Sequence, residues 1–182
     1  MPAYAYAYAG ILYNGVYVMK KLIYLVYAAI LIFIDQVSKY WIVANLKGKE
    51  NIVLIKKVFE LEYVENDGAA FSSFSGKQLF LLILTVVILS FVIFEFIRIP
   101  EGKKYIPLRI TFMLLVAGAI GNMIDRVKQG YVVDFFYFVP INFPRFNVAD
   151  IFITVAAIMI GWVFIFIYKE EDTAFLFNFK KN

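Results

Sequence analysis

Asp125, Arg126, Asp134 and Asp150 stand inside or beside apolar runs of this chain. Ionisable groups in such places are costly in a bilayer, and they face a protein interior or a watery cavity. Asp134 and Asp150 are the candidate catalytic pair. Two carboxylates that share one site do not both ionise readily, so the pair keeps a proton. One can take a proton from water while the other gives one to the leaving group. That chemistry hydrolyses a peptide bond without histidine, cysteine or metal. The competing reading makes Asp150 a helix cap and Asp134 a solvated loop residue, and spacing alone does not separate the two.

Around the pair stand other polar residues. Asn122, Asp125 and Arg126 fall at i, i+3 and i+4, on one side of a helix, with Gly118 and Gly121 nearby to allow close packing. Arg126 suits an anionic or carbonyl group of a substrate, whereas Asp125 reads better as interhelical glue. Asp35 and Lys39 are an i, i+4 pair and read as a structural ion pair. Ser38 lies next to Lys39, but neighbours on a helix point apart, which disfavours a Ser/Lys hydrolase. Asn66 and Gly68 form either an ordinary Asn-Asp-Gly turn or a turn that brings backbone donors over the site. Asn147, three residues before Asp150, either caps a helix or donates to a substrate carbonyl.

Composition narrows the chemistry further. The 182 residues contain no cysteine and no histidine. A disulfide framework, a thiol nucleophile, a Ser-His-Asp triad and an HExxH zinc site are therefore all excluded. No metal site and no cofactor are expected. The net charge of +4 is spread along the chain and gives no basic stripe for nucleic acid.

The elements that must position these residues are membrane spans. The chain is 63% hydrophobic, and residues 22–46, 78–97, 110–127 and 151–168 are apolar runs near the length that crosses a bilayer. Lys20 and Lys21 precede the first run, and Arg98, Lys103, Lys104 and Arg109 fill the loop between the second and third. This bias places both termini and that loop in the cytoplasm. At ~1.5 Å per helical residue, Asp35, Asp125 and Asp150 then lie roughly 20, 22 and 28 Å from the inner side, on one level near the outer leaflet. Asp134 follows the third span on the same side.

The outer loop 47–76 is rich in Val, Ile, Phe and Tyr and is expected to form a small β-structured flap. The outer loop 128–148 contains Pro140 and Pro144 and is expected to be irregular. Residues 1–18, with alternating Ala and Tyr, read as an appended or atypical leader. Residues 19–169 form the four-span domain, and 170–182 a cytoplasmic tail. The first run is too long for a cleaved signal segment and carries Asp35 and Lys39, so it reads as a retained span. The fold class expected is an all-α membrane protein of four transmembrane helices with a β-structured outer loop domain.

Five blocks occur in order: Asp35-Gln36-Val37-Ser38-Lys39, Asn66-Asp67-Gly68-Ala69-Ala70-Phe71, Gly118 to Arg126, Val132-Val133-Asp134-Phe135 and Phe146-Asn147-Val148-Ala149-Asp150. Together they resemble the bacterial lipoprotein signal peptidase family, signal peptidase II, over about residues 20–169. The resemblance implies an aspartic endopeptidase of the bacterial cytoplasmic (inner) membrane. Such an enzyme removes the signal peptide from diacylglyceryl-modified prolipoproteins by cutting before the lipidated cysteine. It implies Asp134 and Asp150 as catalytic residues. It implies Asn66, Gly68, Asn122, Arg126 and Asn147 around the substrate, and Asp35, Lys39 and Asp125 as polar groups that hold the site together. It also implies inhibition by globomycin, contact with membrane lipid and no nucleic-acid partner; a monomer is expected. Two rivals are a small proton- or ion-coupled transporter using intramembrane carboxylates and a scaffold protein with structural polar pairs. A transporter would carry its charges through the midplane or in an inverted repeat, and neither pattern is present.

Overall fold

A computed structural model describes the backbone of residues 3–68 and 77–177, and the side chains from Leu22 onward within those ranges. Residues 69–76 lie outside the described residues. They include Ala69, Ala70 and Phe71 of the second sequence block. The order of elements is α1 (Ala3–Leu46), β1 (Ile52–Ile55), β2 (Phe59–Asn66), α2 (Gln78–Arg98), α3 (Ile106–Gln129), β3 (Val132–Phe138), α4 (Val148–Trp162) and α5 (Glu170–Phe177). A π-helical turn, Val163–Ile167, extends α4.

Four helical segments are long and apolar enough to cross a membrane: Leu22–Leu46, Gln78–Arg98, Lys103–Gln129 and Val148–Ile167. The chain is a multi-pass membrane protein. Its third span is the central one, with 44% of its most apolar window enclosed by protein against 11–22% for the others. That difference follows from composition. Gly118 and Gly121 leave room for neighbours at their own level, and a side chain on either would collide. A Cβ on Gly118 would lie 2.5 Å from the Ala149 carbonyl oxygen of α4. A Cβ on Gly121 would lie 2.6 Å from Asp35 Oδ2 of α1. Three helices thus meet at Gly121.

Helix α3 extends beyond the 110–127 span expected from hydropathy. It starts with Pro107 in its first turn and stops at Gly130, whose φ of 80° is the left-handed conformation that ends helices. Helix α4 likewise begins earlier than expected, at Val148. The cytoplasmic tail expected from the sequence contains α5. Lys104 pairs with Asp172 at 2.5 Å, and the Arg98 guanidinium donates to the Phe175 carbonyl, which docks this helix on the far end of α2 and α3.

The expectation for residues 128–148 needs correction. Its first half is not irregular but is strand β3, which completes an antiparallel sheet of order β1-β2-β3. Val132-Val133-Asp134-Phe135-Phe136-Tyr137-Phe138 is a β-branched and aromatic run with strong strand preference. Pro140 and Pro144 lie beyond it, where a short 3₁₀ turn and an isolated bridge replace the ladder. Asn66 pairs in register with Val132, and Val64 with Asp134. A cluster of buried residues, Ile42, Leu46, Val133 and Phe135, seats this sheet on the end of α1.

Candidate active site

The two candidate carboxylates come from different kinds of element. Asp134 lies in mid-strand on β3 and is 2% exposed. Asp150 lies in the first turn of α4. The chain enters α4 through a capping box, in which Asn147 Oδ1 accepts from the Asp150 amide and Asp150 Oδ2 accepts from the Asn147 amide. The helix-cap reading of Asp150 is therefore correct, and it is compatible with a second role. The other carboxylate oxygen, Oδ1, accepts a bond of 2.8 Å from Asn122 Nδ2.

Asn147 links the pair. Its Nδ2 donates to Asp134 Oδ1 at 2.6 Å, while its backbone amide holds Asp150. Asn66 Nδ2 donates to the other Asp134 oxygen at 2.7 Å. Asn66 is itself oriented, because its Oδ1 accepts from the Gly68 amide at 2.9 Å. Burial, followed by the nearby charge of Asp150, pushes the Asp134 carboxyl up to about 7, against the lowering effect of Asn66, Asn147 and Lys39. Asp134 therefore keeps its proton to a higher pH than a solvated aspartate does.

A buried ionic triad lies behind this pair. Lys39 Nζ sits 3.0 Å from Asp35 Oδ2 and 3.0 Å from Asp125 Oδ2, with all three residues less than 5% exposed. The i, i+4 pair expected in α1 is thus half of a bridge to α3. Each carboxylate also holds one backbone amide. Asp35 Oδ1 accepts from Ala149 N at 2.9 Å, and Asp125 Oδ2 accepts from Val133 N at 3.2 Å. Ala149 immediately precedes Asp150, and Val133 immediately precedes Asp134. The triad is a yoke whose two arms grip the chain one residue before each candidate catalytic carboxylate. Lys39 also donates to Asn122 Oδ1 at 2.9 Å, as does Asn147 Nδ2 at 3.1 Å. Two donors on that oxygen turn the Asn122 amide nitrogen toward Asp150.

Arg126 completes the set by donating from Nη2 to the Gly68 carbonyl at 2.8 Å, which ties the end of β2 to α3. Its Nε is buried and has no acceptor among the described residues. All ten residues singled out in the sequence therefore belong to one connected polar network. The sequence reading overlooked Gln36. Its Nε2 donates to Asp35 Oδ2, Asp125 Oδ1 and the Gly121 carbonyl, and so adds a second tie between α1 and α3. A glutamine inside an apolar run, beside Asp35, was the available signal.

The network forms one wall of a cavity of about 890 Å³. Asn66, Asn122, Arg126, Asp134 and Asp150 line its polar end. Ile88, Leu89 and Val92 of α2, with Leu115 of α3 and Thr154 and Val155 of α4, line an apolar slot between the spans. The shape suits an extended chain at the carboxylates that continues into an apolar segment.

Comparison with known proteins agrees with this geometry. A family model described as "Signal peptidase (SPase) II" matches residues 27–166. The lipoprotein signal peptidase of Lactococcus lactis subsp. lactis is 43% identical over 156 residues, covering 85% of this chain and 99% of the relative. That of Caldanaerobacter subterraneus subsp. tengcongensis is 44% identical over 143 residues, covering 78% and 95%. A bacterial membrane enzyme solved by the in meso method at 2.3 Å resolution superposes with a TM-score of 0.69 at 31% identity, covering 87% of this chain and 93% of that one. With the matched region spanning all four membrane helices and the whole polar network, the chain belongs to the signal peptidase II family and is a protease.

Proposed function

We propose that this chain is an aspartic endopeptidase that removes the signal peptide from diacylglyceryl-modified prolipoproteins, cutting before the lipidated cysteine. Asp134 and Asp150 share one proton; the ionised carboxylate activates water, and the protonated one supplies the proton for the leaving amine. Asn66, Asn122 and Asn147 hold the two carboxylates, and Arg126, whose Nε has no acceptor among the described residues, binds a substrate carbonyl. The observation that carries this reading is the pair itself. Two carboxylates, the buried Asp134 and the half-buried Asp150, are joined through Asn147 in a cavity that continues between apolar residues of α2, α3 and α4. A signal peptide helix fills that slot, and the lipid on the cysteine keeps the scissile bond at the boundary.

The same reading places the protein in the bacterial cytoplasmic membrane as a monomer. The site then lies at the outer leaflet and both termini in the cytoplasm, with residues 1–18 dispensable. Globomycin would occupy the space between the aspartates. The relay-transporter alternative draws no support, because the family model that matches residues 27–166 is that of a peptidase, and Asp35, Lys39, Asp125 and Asp134 cluster at the sheet end while Glu95 and Arg109 at the other end are held by local partners. The test is incubation of the purified protein with a diacylglyceryl-modified prolipoprotein, with and without globomycin. Globomycin-sensitive release of the signal peptide is expected. An intact substrate under conditions where the protein remains folded would overturn the proposal.

A further inference from the structure

A second groove lies between α1 and the β2–β3 sheet, lined by residues other than those of the catalytic slot. Its volume is about 470 Å³. Phe33, Val37 and Trp41 of α1 form one wall, and Leu61 of β2 with Phe135 and Phe136 of β3 form a roof. It shares no lining residue with the slot. Asp134 lines the slot, whereas the next two residues of the strand, Phe135 and Phe136, line the groove.

The lining offers no charged group. Its single hydroxyl, Ser38 Oγ, donates to the Asp35 carbonyl at 2.6 Å and has no need of an outside partner. The groove is continuous with the lipid-facing side of α1, where Ile30, Phe33, Ile34, Val37 and Trp41 are 47–67% exposed. From Phe33 to Ile42 it follows α1 for about 13 Å at the usual helical rise. Beta strands roof it only at the end near Leu46, where α1 leaves the apolar span. A free annular lipid meets a helix surface; here an apolar channel runs along a span and is covered by aromatic rings.

We infer that this groove is a binding site for one acyl chain of a bilayer phospholipid, held along α1 beneath the β2–β3 sheet and separate from the peptidase slot. The occupant is identified by the fully apolar lining, the continuity with the bilayer-facing surface and the alignment along the span. A polar peptide would leave its backbone groups unsatisfied there.

The two tryptophans of the chain allow a direct test. Trp41 lines the groove, whereas Trp162 on α4 is 58% exposed and lines neither cavity. Single-tryptophan proteins, Trp162→Phe and Trp41→Phe, are reconstituted in vesicles containing increasing fractions of chain-brominated phosphatidylcholine. Trp41 is expected to reach half-quenching at a several-fold lower brominated fraction than Trp162, which reports ordinary annular lipid. Val37→Phe in the Trp41-only protein fills the groove and is expected to bring the two curves together. Coincident curves in the unfilled proteins, or a difference that survives Val37→Phe, would overturn the proposal. Cleavage of a diacylglyceryl-modified substrate by Val37→Phe is expected to retain its KM. A several-fold rise in KM would show that the groove takes the substrate's lipid, which also overturns it.

Discussion

Replacing Lys39 with methionine removes the cation of the yoke and keeps most of its volume. Asp35 and Asp125 would then be two buried carboxylates, 0% and 4% exposed, without an ion-pair partner in direct contact among the described residues. Breaking a buried ion pair by deleting one partner costs about 3–5 kcal/mol, since the remaining charge has lost its compensation. At roughly 2–4 °C per kcal/mol for a chain of this size, the melting temperature should fall by about 6–20 °C. Turnover should fall too, because both amides gripped by the yoke, Ala149 and Val133, adjoin the proposed catalytic residues. Exchanging both carboxylates as well (Lys39→Met with Asp35→Asn and Asp125→Asn) leaves no charge in the yoke, and the asparagine oxygens can still accept from the two amides. That triple variant should recover most of the melting temperature. The assay is thermal unfolding in a mild detergent, paired with initial rates on prolipoprotein. A Lys39→Met protein melting within about 2 °C of the parent with unchanged turnover would refute the argument that this cation holds the site.

Gly121→Ala should destabilise by about 1–3 kcal/mol, because its Cβ would meet the fixed Asp35 carboxylate at 2.6 Å, whereas Gly161→Ala meets nothing within 4 Å and should be neutral or gain about 0.5–1 kcal/mol of helix preference; thermal unfolding of the two variants checks the contrast. Turnover should decline as pH rises through about 7, where Asp134 loses its proton. The folded carboxyl binds its proton more tightly than the unfolded one, so its contribution to stability is full below the ordinary carboxylate range and is lost through that same rise. Asn66→Ala removes a bond that favours the ionised form and should move the alkaline limb of the pH–rate profile upward. Turnover should survive thiol-directed reagents and EDTA, since the chain has neither cysteine nor histidine and the proposed chemistry runs on two carboxylates; loss in EDTA restored by a divalent cation would count against it.

The four spans were legible because twenty or so apolar residues in a row have few other uses. Their ends were less so: α3 begins at Ile106 and stops at Gly130, and both ends are set by proline and glycine chemistry that hydropathy does not register. Strand β3 was not legible although its seven residues favour a strand, because Pro140 and Pro144 just beyond it give the same stretch the composition of an irregular loop. The site residues were legible as polar interruptions of apolar runs, and the structure gathers all ten. Their connectivity was not. The bridge from Lys39 to Asp125 spans two helices, and the grip of Asp35 on the Ala149 amide spans 114 residues. No spacing rule within one element reports a bond of that range. Gln36 was less legible because an uncharged amide in an apolar run costs less than an ionised group and so gives a weaker signal. The groove under the sheet was invisible for a related reason: its two walls come from α1 and from a strand that was not expected.

The central claim is that Asp134 and Asp150 together carry out the hydrolysis. It is tested most directly by Asp134→Asn and Asp150→Asn, each purified and shown to melt near the parent, then followed in single-turnover cleavage of a diacylglyceryl-modified prolipoprotein. Each change keeps a side chain of the same shape and removes one proton-transferring group, so each should slow cleavage by at least the order of 10²–10⁴ that positioned acid–base catalysis supplies. Near-full turnover in either folded variant would remove that residue from the pair and contradict the two-aspartate account.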